Sequence, residues 1–114
     1  MKIILSILSI LLLACTSQNT EIPTDILSEK SFVNILKEVH LAEAAFELNK
    51  SKNMENAKGT LANSYQKIYK KHTINDAYFS KSLNYYASHP ERLEDIYKTV
   101  LEKLREERTT LNQQ

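Results

Sequence analysis

Apolar side chains recur at helical spacing along most of this chain, and that periodicity most constrains what it can fold into. Between residues 28 and 111 they return every three or four positions, which places them on one face of an α-helix. Glycine occurs once and proline twice in 114 residues, and no run of alternating β-branched residues is present. The pattern predicts an all-α fold, a compact bundle of three to four helices.

Capping residues and breaks in the periodicity divide this region into four predicted helices. Ser28 and Asn75 are suited to N-caps, and Pro90 is suited to a first helical position. The predicted helices span residues 28–49, 60–72, 76–88 and 90–111, and the polar segment 50–59 is either a loop or a frayed continuation of the first helix. The first is expected to be central, because Leu41 and Leu48 widen its apolar stripe. The last has the most regular stripe, which the sequence extends through Leu101 and Leu111.

The first fourteen residues have the composition of a secretory signal peptide. Lys2 supplies the basic start, an apolar run extends from Ile3 to Leu13, and the small residue Ala14 precedes Cys15. The run is too short for a spanning helix, which needs roughly 20 apolar residues. Leu12-Leu13-Ala14-Cys15 also resembles a bacterial lipobox, which implies cleavage before Cys15 and acylation of its thiol. A secreted protein without lipid, cut nearby, is the alternative.

Residues 15–27 are interpreted as the lipidated cysteine and a flexible tether, followed by a helical domain at 28–114. The segment after Cys15 is polar and lacks periodicity, and Pro23 favours extended geometry in the residue before it. A lipidated Cys15 would hold the domain at a membrane without a transmembrane helix.

Composition excludes several classes of function. Cys15 is the only cysteine, so neither an internal disulfide nor a zinc site built on thiolates can form. The formal net charge is +1, and no basic cluster suggests nucleic-acid binding. No cofactor is expected.

Glu43 is the most unusual polar residue, because it projects from the middle of the apolar stripe of the first helix. An unpaired buried carboxylate is costly, so we expect it to be protonated, paired or hydrogen-bonded. Three roles stay open: an internal network with tyrosine hydroxyls, a ligand-binding carboxylate, or a catalytic acid or base. His40, three residues earlier, offers a second metal ligand on the same face, but the sequence supplies no convincing third, so no metal site is expected.

Six tyrosines fall within 33 residues and are candidates for the partners of Glu43. Their apolar rings and polar hydroxyls suit either the edge of the core or a recognition surface. The candidate binding or buried network comprises Glu43, His40, Tyr69, Ser82, Tyr85, Tyr86 and Tyr97. Ser82 beside His89 lacks an acidic orienting residue and a glycine elbow, so it is expected to let helices approach rather than to act as a nucleophile. We therefore expect no catalytic residue and no enzyme.

Three stretches together resemble DUF4296, a family of small lipoproteins of the Bacteroidota catalogued as a domain of unknown function. They are Leu41-Ala42-Glu43-Ala44, then Lys71-His72-Thr73-Ile74 leading to Phe79-x-x-Ser82-Leu83-x-Tyr85-Tyr86, and Pro90-Glu91-x-Leu93-x-x-Ile96-Tyr97-x-x-Val100. The resemblance implies a helical envelope lipoprotein and no assigned activity. The absence of an acidic cluster after Cys15 favours the periplasmic face over the cell surface, and Thr16 after the cysteine favours the outer membrane.

These observations favour a non-enzymatic, lipid-anchored envelope protein that acts as a protein- or peptide-interaction module. The alternative is a binder of a small ligand or peptidoglycan fragment, with a pocket near Glu43 and the tyrosines. A ligand binder should show an opening of roughly 300 Å³ or more that these groups reach. An interaction module should show a filled core and an exposed apolar patch. The oligomeric state stays open.

Overall fold

A computed structural model describes residues 21–114, which form four α-helices and no strand within that range. The helices are α1 (Glu29–Asn49), α2 (Met54–Lys71), α3 (Asp76–Ala87) and α4 (Pro90–Asn112). The predicted all-α bundle is therefore confirmed. No helix in the described part of the chain is both long and apolar enough to cross a membrane.

Helix α1 is central, and α2 packs along it in the opposite direction. Near the end of α1, Glu43 is bonded to Tyr65, and further back along α1, Glu38 is bonded to Lys71 at the end of α2. A turn of four residues, 50–53, joins the two helices. This antiparallel pair supplies the largest helix–helix contact in the described domain.

Helix α4 packs on another side of α1 and runs in the same general direction. Arg92 lies 3.6 Å from Glu29 near the start of both helices, and Lys37 pairs with Glu107 further along. Helices α2 and α4 have almost no contact with each other, because α1 lies between them. Helices α2 and α4 therefore do not enclose α1 completely, and part of its surface faces α3 or solvent.

The short helix α3 closes the core at the beginning of α1. Phe32 is fully buried and stacks on Phe79 and Tyr86, with ring centroids 5.8 Å and 4.7 Å away. Ile96 and Val100 of α4 are also almost completely buried. The core thus lies beside the first half of α1, where Phe32, Val33, Ile35, Leu36 and Val39 are all buried.

The end of the predicted tether belongs to the folded domain. Ile26 and Leu27 are buried against the core. The Leu27 amide donates to Oγ of Ser82 at 2.9 Å, and the Tyr86 hydroxyl donates to the Leu27 carbonyl at 2.6 Å. The prediction of a flexible segment through residue 27 is therefore wrong at its end. Two buried apolar side chains hold this end, together with the two hydrogen bonds to the Leu27 backbone, which we call the clamp on Leu27.

Most predicted helix boundaries are within one residue of those observed, but the start of α2 is six residues earlier than predicted. Ser28 and Asn75 accept capping hydrogen bonds from the amides of Ser31 and Tyr78, as expected. The predicted loop at 50–59 is wrong beyond residue 53, where Asn53 caps α2. Gly59 is tolerated inside the helix, where nothing lies within 4 Å of an added Cβ.

The apolar stripes of α1 and α4 are narrower than predicted. Leu41 and Leu48 are 48% and 76% exposed, and Leu101 and Leu111 are 51% and 69% exposed. These residues lie outside the faces that α1 and α4 present to each other and to α3. Leu41 and Leu101 lie beside packed positions but are about half exposed, and Leu48 and Leu111 lie near the helix ends, so helical spacing overestimated the core.

The clamp on Leu27 leads to a first prediction. Tyr86→Phe keeps the buried ring but leaves the Leu27 carbonyl without its donor, which should cost about 1–3 kcal/mol of unfolding free energy. Tyr97→Phe makes the same chemical change at a residue 39% exposed and should alter stability by about 0.5 kcal/mol or less. Urea unfolding of both variants checks this, and equal effects would show that the clamp does not stabilise the domain.

The turn between α2 and α3 contains the one non-glycine residue with positive φ in residues 21–114, Thr73 at φ 56°. The Ile74 amide donates to the Tyr69 carbonyl at 2.9 Å, and the Thr73 amide donates to the Lys70 carbonyl at 3.2 Å. This is the Schellman arrangement that ends many helices, in which glycine usually occupies the left-handed position. A β-branched residue there is strained.

Thr73→Gly should therefore stabilise the domain. Relief of the left-handed strain, about 1–2 kcal/mol, exceeds the added flexibility of the unfolded chain, roughly 0.5–1 kcal/mol. We expect a gain of about 0.5–1 kcal/mol, or several degrees in melting temperature. The matched change Thr99→Gly, at an exposed position inside α4, should instead lower stability by about 0.5 kcal/mol. A Thr73→Gly variant that melts no higher than the wild type would contradict the strain argument.

Candidate functional site

An open groove of about 420 Å³ lies where α1, α2 and α3 meet. Val39 and Phe79 provide apolar lining, and Glu43, Tyr65 and Asp76 provide carboxylate and hydroxyl oxygens. We call this the Glu43 groove. It forms because α3 covers only the first half of α1.

Glu43 lies at the edge of this groove, and two side chains contact its carboxylate. The Tyr65 hydroxyl donates to Oε1 at 3.0 Å, and Nδ1 of His40 lies 3.3 Å from Oε2. The Glu43 side chain is nevertheless 46% exposed. The expectation of a buried carboxylate is therefore wrong, because its position on the apolar stripe faces the open groove between α1, α2 and α3. The expected bond to a tyrosine is present.

Tyr65 and Tyr69 form a stacked pair along the groove, with ring centroids 6.2 Å apart and planes 11° apart. Tyr69 is buried, and its hydroxyl donates to Oδ1 of Asp76 at 3.3 Å. Burial and the hydrogen bond to Glu43 raise the pKa of Tyr65 to about 12. Burial and the neighbouring Asp76 carboxylate also raise the pKa of Tyr69. Both hydroxyls therefore stay protonated at neutral pH and act as donors.

His40 joins the groove edge to α4. Its ring lies 5.6 Å from the Tyr97 ring, while its Nε2 is buried without a hydrogen-bond partner among residues 21–114. Within the same described range, no group of three or more His, Cys, Asp or Glu residues could hold a metal ion. The structure therefore brings together four of the predicted site residues: Glu43, His40, Tyr69 and Tyr97.

The other predicted residues have structural contacts at the base of the domain. Ser82 is fully buried, accepts from the Leu27 amide and donates to the Tyr78 carbonyl at 2.9 Å. Tyr85 packs edge-on against Tyr86 at 5.2 Å. Ser82 thus allows the N-terminal segment to approach α3 closely, whereas the sequence predicted the close approach of a second helix. Cys15 lies outside the described residues.

Sequence reasoning missed Tyr65 and Asp76 as members of one site. Tyr65 lies four residues before Tyr69 on α2, a spacing that places both rings on one helical face. Asp76 is the first residue of α3, seven positions after Tyr69 and on another helix. A signal for the tyrosine pair was present, but only the tertiary structure brings Asp76 to Tyr69.

A second polar cluster outside the groove joins the end of α2 to α1. Glu38 accepts from Nζ of Lys71 at 2.6 Å and lies 3.2 Å from Nε2 of His72. Partial burial works against ionisation of Glu38, but hydrogen bonds from Lys71 and His72 outweigh it and lower the pKa of the carboxyl. This cluster fixes the helix end from which the strained turn begins.

The fold and the groove define a small all-helical domain with an acidic, tyrosine-lined groove. The chain belongs to the DUF4296 family, whose model, described as a domain of unknown function, matches residues 23–110. The match begins at Pro23, so it includes the clamped segment before α1. Neither a curated protein nor a solved structure matches the chain.

The Tyr65–Glu43 bond predicts a specific effect on alkaline titration. Glu43→Gln removes the negative charge, so the Tyr65 pKa should fall from about 12 while staying above 10, because burial is its largest cause. A raised pKa in the folded state favours the protonated form. Its stabilising effect is therefore complete below pH 10 and lost as pH rises towards 12.

An NMR titration of the tyrosine ring carbons measures the Tyr65 pKa in the wild type and in Glu43→Gln, and urea unfolding between pH 9 and pH 12 measures the stability. Glu106→Gln, on the exposed part of α4, is the control. An unchanged Tyr65 titration in Glu43→Gln would mean that the carboxylate does not hold the hydroxyl in solution.

Proposed function

We propose that this protein is a non-enzymatic, lipid-anchored envelope protein that binds a segment of a partner protein in the Glu43 groove. The observation that carries the proposal is the groove itself, an opening of about 420 Å³ with apolar walls and hydrogen-bonding groups at its edge. A groove open to solvent suits an extended segment that enters and leaves along the surface, whereas small-molecule sites bury most of their ligand.

The chemistry of the lining supports binding rather than catalysis. The Tyr65 hydroxyl, with its pKa near 12, is a hydrogen-bond donor and not a base at neutral pH. It already donates a hydrogen bond to Glu43, and the Tyr69 hydroxyl donates one to Asp76. These bonds hold the side chains in fixed positions, which lowers the entropy lost when a partner binds.

The N-terminal sequence supports membrane attachment through Cys15, in the outer membrane of a member of the Bacteroidota and facing the periplasm. Five residues lie between Cys15 and Glu21, and a chain of six residue steps that follows random-coil statistics spans about 14 Å. Glu43 lies fourteen residues into α1, about 21 Å along the helix axis from its start. The tethered end of the domain would stay close to the lipid, and the groove would lie further along the helix.

A small ligand or peptidoglycan fragment is the second candidate occupant. The observation that favours it is the groove volume, which lies within the range of about 300–1,000 Å³ found for ligand pockets. Glu43 and the two tyrosines reach this opening, as a ligand binder requires.

Photocrosslinking in intact cells tests the proposal. A photoreactive amino acid at Gln66, which lines the groove, should form one dominant protein adduct with the full-length lipoprotein. The matched control is Lys67, the next residue, which is exposed on α2 but does not line the groove. Glu43→Arg should reduce the Gln66 adduct by placing a long cation at the groove edge. Equal labelling from both positions, or none from Gln66, would contradict docking in the groove.

A further inference from the structure

We propose that the Glu43 groove recognises a lysine or arginine side chain presented by the partner segment. This inference rests on the proposed function and names the chemistry of the residue that enters the groove. It is carried by the charge of the groove, the direction of its hydrogen bonds and the shape of its apolar lining.

The polar side chains at the groove are rich in acceptors. Glu43 and Asp76 each bring a carboxylate, and in each case a tyrosine hydroxyl donates to one oxygen only. A carboxylate has about four lone-pair sites, so both retain accepting capacity. The hydroxyl oxygens of Tyr65 and Tyr69 can also accept. The groove is therefore complementary to a group that carries several donors and no acceptor.

Positive charge is absent from the lining within residues 21–114, where no lysine, arginine or histidine contributes to the groove. The nearest basic group to Glu43 is His40, whose Nδ1 lies 3.3 Å from Oε2. Oε1 faces Tyr65 across the groove. Two carboxylates without a lining cation create a negative potential that an ammonium or guanidinium group would offset.

The apolar part of the groove suits the stem of such a side chain. Val39, Phe79 and Leu83 line it from α1 and α3. Lysine and arginine bury their methylene groups along apolar surface while the charged end stays near water and acceptors. The Tyr65 ring, which is only partly buried, adds aromatic surface that attracts a cation. An acidic side chain would meet only repulsion from the two carboxylates.

Three small probes of matched size test this chemistry. We expect n-butylammonium to bind the ¹⁵N-labelled full chain, in a neutral detergent, about fivefold more tightly than n-butanol, as a half-exposed ion pair worth about 1 kcal/mol requires. Butyrate should not bind measurably. Saturable amide shifts should centre on Tyr65, Gln66 and Ser80, which line the groove. The preference should weaken as salt is raised.

The variant Glu43→Gln keeps the shape and an oxygen acceptor for Tyr65 but removes the charge. It should bring n-butylammonium to within about twofold of n-butanol, whereas Glu106→Gln, on the exposed part of α4, should leave the fivefold preference intact. If Glu43→Gln does not fold, Asp76→Asn provides the same comparison at the second carboxylate. Equal binding of n-butylammonium and n-butanol, or a preference insensitive to both substitutions, would overturn the inference.

The two proposals can fail separately. A Gln66 adduct in cells together with equal probe binding would keep the docking proposal and overturn the cation site, since the partner would then bind through apolar contacts. Selective ammonium binding without any Gln66 adduct would support the cation site and contradict the protein partner.

Discussion

The burial of Phe32 between Phe79 and Tyr86 is the interaction on which the rest of the domain depends. It joins α1 to α3 at the base of the bundle, where Tyr86 also reaches the Leu27 carbonyl. One aromatic cluster thereby fixes α3 and the N-terminal segment against α1. Large aromatic side chains suit this role because each buries a large apolar area, and the tyrosine adds a directional bond.

The groove is a geometric consequence of that cluster. Helix α3 has 12 residues against 21 in α1, and it packs on Phe32 near the start of α1, so it does not run the full length of that helix. Helices α2 and α4 lie on different sides of α1 and do not close over this face. Glu43 can therefore occupy an apolar stripe without being buried, since its side chain lies at the open edge of the groove between α1, α2 and α3.

Sequence periodicity predicted the fold well and the extent of the core poorly. Both outcomes have one cause, because helical spacing describes a single helix and not its neighbours. Helical spacing shows which face of a helix is apolar, so α1 and its core residues Phe32 and Val39 could be recognised. It does not show where a neighbouring helix stops. Leu48 and Leu111 continue the spacing beyond the packed region and are exposed. The clamp on Leu27 was missed because that bond joins residues 59 positions apart.

The strained turn and the groove are physically connected. Thr73 adopts a left-handed conformation that glycine would adopt at lower cost, and Asp76, three residues later, begins α3. The turn thus sets the direction in which α3 leaves α2 and brings the Asp76 carboxylate within 3.3 Å of the Tyr69 hydroxyl. Strain of this kind persists only where surrounding contacts fix the conformation. Here the bonds of Glu38 to Lys71 and His72 hold one side of the turn, and the Asn75 cap holds the other. The second carboxylate of the groove is therefore positioned by the least relaxed part of the described backbone.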